Sequence, residues 1–319
     1  MKSTQELMKQ YCEESGELYQ TVKVRPEISA YEEKLGKSFL EMKEYEIRDM
    51  FKTFVDHRSK DKKHIVAKNI INNIVGFYTR FFNWCIDKGY IKGTNIFLME
   101  SLSSREIHTM LYDAYKEEIP MLLEEKEFEK ICKICRENFA NAFYYEAILR
   151  LLYEGVIFRL TDLMEIKNVD TAKETILLNG RTIKISKKLC CLLKEMREEN
   201  FVLANGTLEA RKIDDSYFYF IVKKNREVGN IREILSRGFF KDFSRCCGLK
   251  ITSDLIYYSG LYNFLLKRTG GNKELVYDML YDGGHAINSV VGQLTEYASE
   301  FGCGLTGKNI RNVITKYRI

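Results

Sequence analysis

Along most of this chain apolar residues recur three and four positions apart, and only once does that period give way to strict alternation. Ile70, Ile71, Ile74, Val75, Tyr78, Phe81, Phe82 and Cys85 trace one face of a single long helix. Proline, the residue that helix interiors exclude most strongly, occurs only at Pro26 and Pro120 in 319 residues. The alternation falls in Thr175–Leu178 and Arg181–Ile185, on either side of Asn179-Gly180. That pattern is a two-stranded hairpin on a tight Asn-Gly turn. The expected class is therefore mainly α with a small β-sheet.

The helical pattern can be followed from end to end. A polar amphipathic stretch covers residues 1–25, and a second begins near Ile28 and passes Leu35 and Phe39. Ile47, Met50, Phe51, Phe54 and Val55 continue the spacing until a cationic segment, His57 to His64, interrupts it. The aromatic helix that follows stops at Gly89, and another amphipathic stretch runs from Thr94 to about Lys116. Around Glu117-Glu118-Ile119-Pro120 the pattern breaks, which places a domain boundary there and gives domains 1–117 and 118–319. In the second domain we expect helices at 124–137, 140–154, 186–199, 229–247, 253–269, 272–281, 287–300 and 307–317, and a short strand at Tyr217–Val222.

Several function classes are disfavoured. The nine cysteines include the adjacent pairs Cys190-Cys191 and Cys246-Cys247, which suit no disulfide framework. Cys132 and Cys135 form a CxxC, but the helical pattern around them and the lack of a second such pair argue for reduced core thiols over zinc. No apolar run follows the first lysine and none reaches the length of a membrane span, so a cytoplasmic protein is expected. No Gly-rich phosphate loop, metal-ligand cluster or nucleophile elbow is present, so neither cofactor nor metal is expected. The net charge of +5, from 50 basic and 45 acidic side chains, decides little by itself; clustering matters more.

Three strings carry a resemblance. Residues 74–97 (IVGFYTRFFNWCIDKGYIKGTNIF) are similar to the closing helix of the core-binding domain in tyrosine recombinases, the phage integrase family. Residues 151–170 (LLYEGVIFRLTDLMEIKNVD) resemble the segment around that family's first catalytic arginine, and a hairpin follows as the family requires. Gly248-Leu249-Lys250-Ile251-Thr252 looks like the strand-like lead into its "H.LRH" box. The resemblance implies a helical core-binding domain and a larger catalytic-like domain that close around double-stranded DNA as a clamp.

Taken residue by residue, the likeness puts Arg159 on the first catalytic arginine, although Ile157 stands where the family has glycine. Two guanidinium groups are needed to neutralise a scissile phosphate in the transition state. At the second box, however, Asp254 replaces the histidine and Tyr257 replaces the second arginine. Gly284-His285 is similar to the family's "LGH", but the nucleophile's spacing of nine residues lands on Leu294, and Tyr297 lies twelve on. Arg159, His285 and Tyr297 thus read as remnants, and loss of two transition-state donors should nearly silence cleavage, since one can contribute ~3–4 kcal/mol. An active integrase that recruits another arginine, such as Arg268, is the alternative.

Duplex binding without cutting needs clustered cations. The candidates are Arg58, Lys60, Lys62, Lys63 and Lys68 in the first domain. In the second they are Arg159, Arg181, Lys184, Lys187, Lys188, Lys223, Lys224 and Arg226, with Arg232, Arg237, Lys241 and Arg245 along one further helix. Glu124, Glu125, Glu127 and Glu129 mark a face expected to point away from DNA. The aromatic run Phe77 to Trp84 reads as core more readily than as a base-stacking platform. Within the family this chain resembles the recombinase-like repressors that maintain lysogeny in SPβ-type phages. That likeness implies a prophage regulator in a bacterial host, with operator or attachment-like DNA as partner and self-association through the C-terminal helix.

Overall fold

The computed structural model describes residues 3–17, 25–43, 45–50, 68–91, 104–115, 119–199, 201–203, 210–212, 223–224, 227–228, 238–286, 293–297, 299–310 and 313–319. Its architecture is mainly helical with one small three-stranded antiparallel sheet. The chain divides into two compact units, Met1–Pro120 with Ile314–Arg318, and Met121–Val313 with Ile319. The strand expected at Tyr217–Val222 and the cationic segment His57 to His64 lie outside the described residues.

The first unit opens with α1 (Thr4–Ser15), whose start is fixed by a reciprocal cap. The Ser3 Oγ accepts the Glu6 N–H at 3.3 Å, and the Glu6 carboxylate accepts the Ser3 N–H at 2.7 Å. Helices α2 (Arg25–Leu35), α3 (Lys68–Asp87) and α4 (Ser104–Tyr115) follow. Helix α3 is the long aromatic helix read from the sequence, and it stops where Gly89 takes a left-handed φ of 73°. Tyr78, Phe81 and Phe82 are fully buried in it. Tyr11 of α1 packs on Phe77 and Phe81, each at 5.7 Å between ring centroids, and Phe39 packs on Tyr78 and Phe82. The run is therefore core, each ring worth ~2–3 kcal/mol of burial.

The second unit is built on two helices with almost no solvent face. They are α6 (Ala142–Tyr153), which follows α5 (Glu125–Asn138), and α9 (Ser253–Arg268). Gly260 lets α9 lie against the end of α6, because a Cβ there would sit 1.7 Å from the Tyr153 carbonyl oxygen. Buried polar groups on α9 are satisfied. Ser259 Oγ accepts the Leu123 N–H at 2.9 Å, and Asn263 Nδ2 donates to the Leu123 carbonyl at 2.7 Å.

The sheet joins β1 (Ile166–Asp170), β2 (Thr175–Leu178) and β3 (Arg181–Lys184) in the order β1-β2-β3. Asn179 (φ 49°) and Gly180 (φ 74°) supply the left-handed turn that the Asn-Gly pair promised. Ile176, Leu178 and Ile183 face the core while Arg181, Thr182 and Lys184 face out. The sequence pointed to two strands, and β1 is a third. Its alternation is broken by a register shift between Lys167 and Val169, with Asn168 at φ 26°, so no clean period of two could be read there.

Helix α7 (Lys187–Glu199) follows the sheet, and the short pairs β4–β5 (Phe201–Leu203, Ala210–Lys212) and β6–β7 (Lys223–Lys224, Glu227–Val228) come next. The later helices are α8 (Phe240–Cys247), α10 (Lys273–Ala286), α11 (Gln293–Tyr297), α12 (Gly307–Ile310) and α13 (Val313–Lys316). The helix expected at 272–281 runs on to Ala286. The one expected at 307–317 is instead two short pieces, with Val313, Ile314 and Tyr317 buried and the Arg318 N–H donating to the Pro120 carbonyl at 2.9 Å. Among the described residues no helix is long and apolar enough to cross a membrane, and no group of three His, Cys, Asp or Glu is placed to hold a metal. Cys132 and Cys135 are fully buried on α5, and burial pushes the Cys132 thiol up to about 12.

Candidate nucleic-acid interface

A cleft of about 730 Å³ opens in the second unit, lined in part by Leu160, the residue after Arg159. Its apolar floor is Leu160, Phe240 and Ile251, all buried. Its rim carries Lys241 and Lys250, and Thr252 and Ser253 close one end at the start of α9. The local fold holds this rim in place. Helix α8 ends at Gly248 (φ 61°), after which Ser244 Oγ accepts the Ile251 N–H at 2.9 Å and donates to the Phe240 carbonyl at 2.6 Å. Thr252 then caps α9 by accepting the Leu255 N–H at 3.1 Å. A helix start and two ammonium groups over an apolar floor suit an anion with some bulk. Among the described residues neither Lys241 nor Lys250 has a carboxylate partner, whereas Lys188, Lys267 and Lys273 each have one.

Arg159 lies exposed one residue before the cleft-lining Leu160, in the turn that leads into the 3-10 helix Leu160–Glu165. The Asp162 carboxylate accepts the Arg159 N–H at 2.9 Å and so fixes the backbone, leaving the guanidinium outward. The loop after α11 packs behind it: the Cys303 N–H donates to the Gly155 carbonyl at 3.2 Å, and the Cys303 thiol donates to the Val156 carbonyl at 2.6 Å. Gly155 and Gly302 permit this, because a Cβ on Gly302 would meet the Gly155 backbone at 2.1 Å. Burial pushes the Cys303 thiol up to about 11; Asp162 adds to that rise and Arg181 opposes it.

At the second box the structure buries the residue that stands in the second arginine's place. Tyr257 is only 1% exposed and sits in a cluster of rings, 4.9 Å from Phe158 and 5.7 Å from Phe301 between centroids. Asp254 is half-buried in the first turn of α9, where a carboxylate is favoured by the helix dipole. Tyr297 ends α11 half-buried. His285 belongs to α10, but its side chain lies outside the described residues. Arg268, at the far end of α9, is paired with Glu300 and lies 5.6 Å over the Phe264 ring.

Of the cations named from sequence, Arg181, Lys184 and Lys187 are exposed, and among the described residues none has a carboxylate partner. Lys188 differs. Its ammonium is 2.6 Å from Glu129, which also receives both terminal nitrogens of the nearly buried Arg150, each at 2.9 Å. Hydrogen bonds from Arg150 hold the Glu129 carboxyl down at about 2, against the opposing effect of burial. Glu124 and Glu125 pair with Lys273 and Lys267, so the acidic start of α5 is largely an intramolecular cement. Arg245 pairs with Asp242 one turn earlier. Arg58, Lys60, Lys62, Lys63, Arg226, Arg232 and Arg237 lie outside the described residues, as do the side chains of Lys68, Lys223 and Lys224. Lys250 is the rim residue that the sequence reading left without a role. Its local signal is a place in the Gly248–Thr252 string, two residues before a Thr-Ser helix start.

Neither a protein-family model nor a curated protein matches the sequence. Among solved structures the chain is similar to one described as the crystal structure of XerA recombinase. The two share 16% identity over 93% of this chain and 99% of that one, with a TM-score of 0.37. A likeness of that degree leaves the reading of this chain to its own residues.

Proposed function

We propose that this protein binds double-stranded DNA through a recombinase-like scaffold and does not cut it. The observation that carries the reading is the contrast between two places in one unit. At the second-arginine position, Tyr257 is sealed in a ring cluster and brings no charge. Elsewhere in the same unit Arg159, Arg181, Lys184, Lys187, Lys241 and Lys250 stand exposed, without carboxylate partners among the described residues. Such an arrangement keeps phosphate-binding cations while lacking the second guanidinium that strand cleavage needs. Occupation of a long site without chemistry is what a transcriptional repressor does, and the resemblance to phage lysogeny repressors supports that role in a prophage.

The alternative is an active integrase built on Arg159, His285 and Tyr297 with Arg268 as second arginine. The Arg268–Glu300 pair counts against it, because a guanidinium neutralised by its own carboxylate is a poor phosphate grip. The binding reading is tested by incubating purified protein with fragmented genomic DNA, recovering the bound fragments and sequencing them. A small set of enriched sites near promoters is the expected result. Uniform recovery of all fragments would refute sequence specificity, and recovery of none would refute DNA binding.

A further inference from the structure

The corner between β3 and α7 is held from two sides by carboxylates, Glu154 and Glu129. Glu154, just past α6, accepts the Ser186 N–H at 2.9 Å and the Ser186 hydroxyl at 2.6 Å. Ser186 in turn accepts the Leu189 N–H at 3.1 Å, so the hydroxyl that starts α7 is itself anchored to α6. On the same first turn, Glu129 of α5 takes the Lys188 ammonium at 2.6 Å. Lys184, two residues before the first anchor, and Lys187, between the two, remain exposed and, among the described residues, without carboxylate partners.

We infer that Glu154 is a positioning residue that aims Lys184 and Lys187 at the DNA backbone, and that Lys188 takes no part in phosphate contact. The inference rests on the DNA-binding reading above and adds which cations carry it and what orients them. Two long lysine side chains on a loose corner would sample many directions and lose entropy on docking. A corner fixed by two hydrogen bonds presents both ammonium groups together. Glu154 touches no phosphate; it acts only through Ser186.

The test is the salt dependence of binding to a mixed-sequence duplex, since each phosphate contact contributes about 0.9 to the slope of log K against log salt. Glu154→Ala should flatten the slope by roughly one to two, Lys187→Ala by about one, and Lys188→Ala not at all. Glu154→Gln should restore a near-native slope, because the amide oxygen can still accept the Ser186 N–H. Thermal melting establishes that each variant is folded; if Glu154→Ala is not, Ser186→Ala, which loses only the hydroxyl, takes its place. An unchanged slope in Glu154→Ala or its substitute, no recovery with Gln, or a flattened slope in Lys188→Ala overturns the assignment. Failure of the unaltered protein to bind any duplex at low salt overturns the DNA reading and this inference with it.

Discussion

Removing the two rim lysines together, as Lys241→Ala with Lys250→Ala, separates a phosphate-facing cleft from a merely basic surface. Both side chains are exposed and neither has a carboxylate partner among the described residues, so the fold loses no ion pair and stability should stay within about 0.5 kcal/mol. If each ammonium neutralises one phosphate, the slope of log K against log salt falls by about 1.8. At roughly 0.1 M salt that corresponds to ~60-fold weaker binding, and at roughly 0.2 M to ~20-fold, because the counterion term itself shrinks as salt rises. Fluorescence anisotropy on a labelled mixed duplex, titrated at several salt concentrations, measures both numbers. Parallel salt plots for the two proteins would refute the reasoning, since a loss independent of salt cannot come from phosphate neutralisation. A cleft that faces some other ligand would give that result.

Three further outcomes follow from the packing. Tyr257→Arg should not restore cleavage and should lower stability by about 3 kcal/mol or more, because the guanidinium would be buried in a cluster of rings; calorimetric melting measures this, and a stable variant would mean that the site is open. Gly260→Ala should cost about 3 kcal/mol or more, or prevent folding, since its Cβ would overlap the Tyr153 carbonyl, and a native-like melting temperature would disprove the close approach. Glu129 has its carboxyl lowered to about 2 from an ordinary 4.5, so its stabilisation is present above pH 4.5 and lost as pH falls toward 2. The stability gap between native protein and Glu129→Gln should therefore be constant near neutrality and close in acid; a gap independent of pH would show that the pair contributes nothing.

Much of the helical framework was legible because burial leaves a period. The aromatic face of α3, the apolar run of α6 and the Asn179-Gly180 turn were all readable from residue spacing alone. The third strand was not, because the register shift after Lys167 erases alternation over a five-residue segment. The site was legible only in part. Arg159, Arg181, Lys184 and Lys187 could be named as cations, but their freedom depends on where the carboxylates go, and pairing is a long-range fact. Lys188 and Lys187 are neighbours in sequence, yet Glu129, 59 positions away, takes only Lys188. In the same way, nothing local marks Tyr257 as buried rather than facing a ligand, since its partners Phe158 and Phe301 lie far along the chain.

The most direct test of binding without cleavage is one incubation of the protein with duplexes carrying its enriched sequence and a nick that traps covalent intermediates, divided between native and denaturing gels. Binding without cleavage gives a retarded band on the native gel and only free protein and intact strands on the denaturing one. A protein–DNA adduct through Tyr297 that survives denaturation, or the absence of any retarded band at low salt, would contradict it.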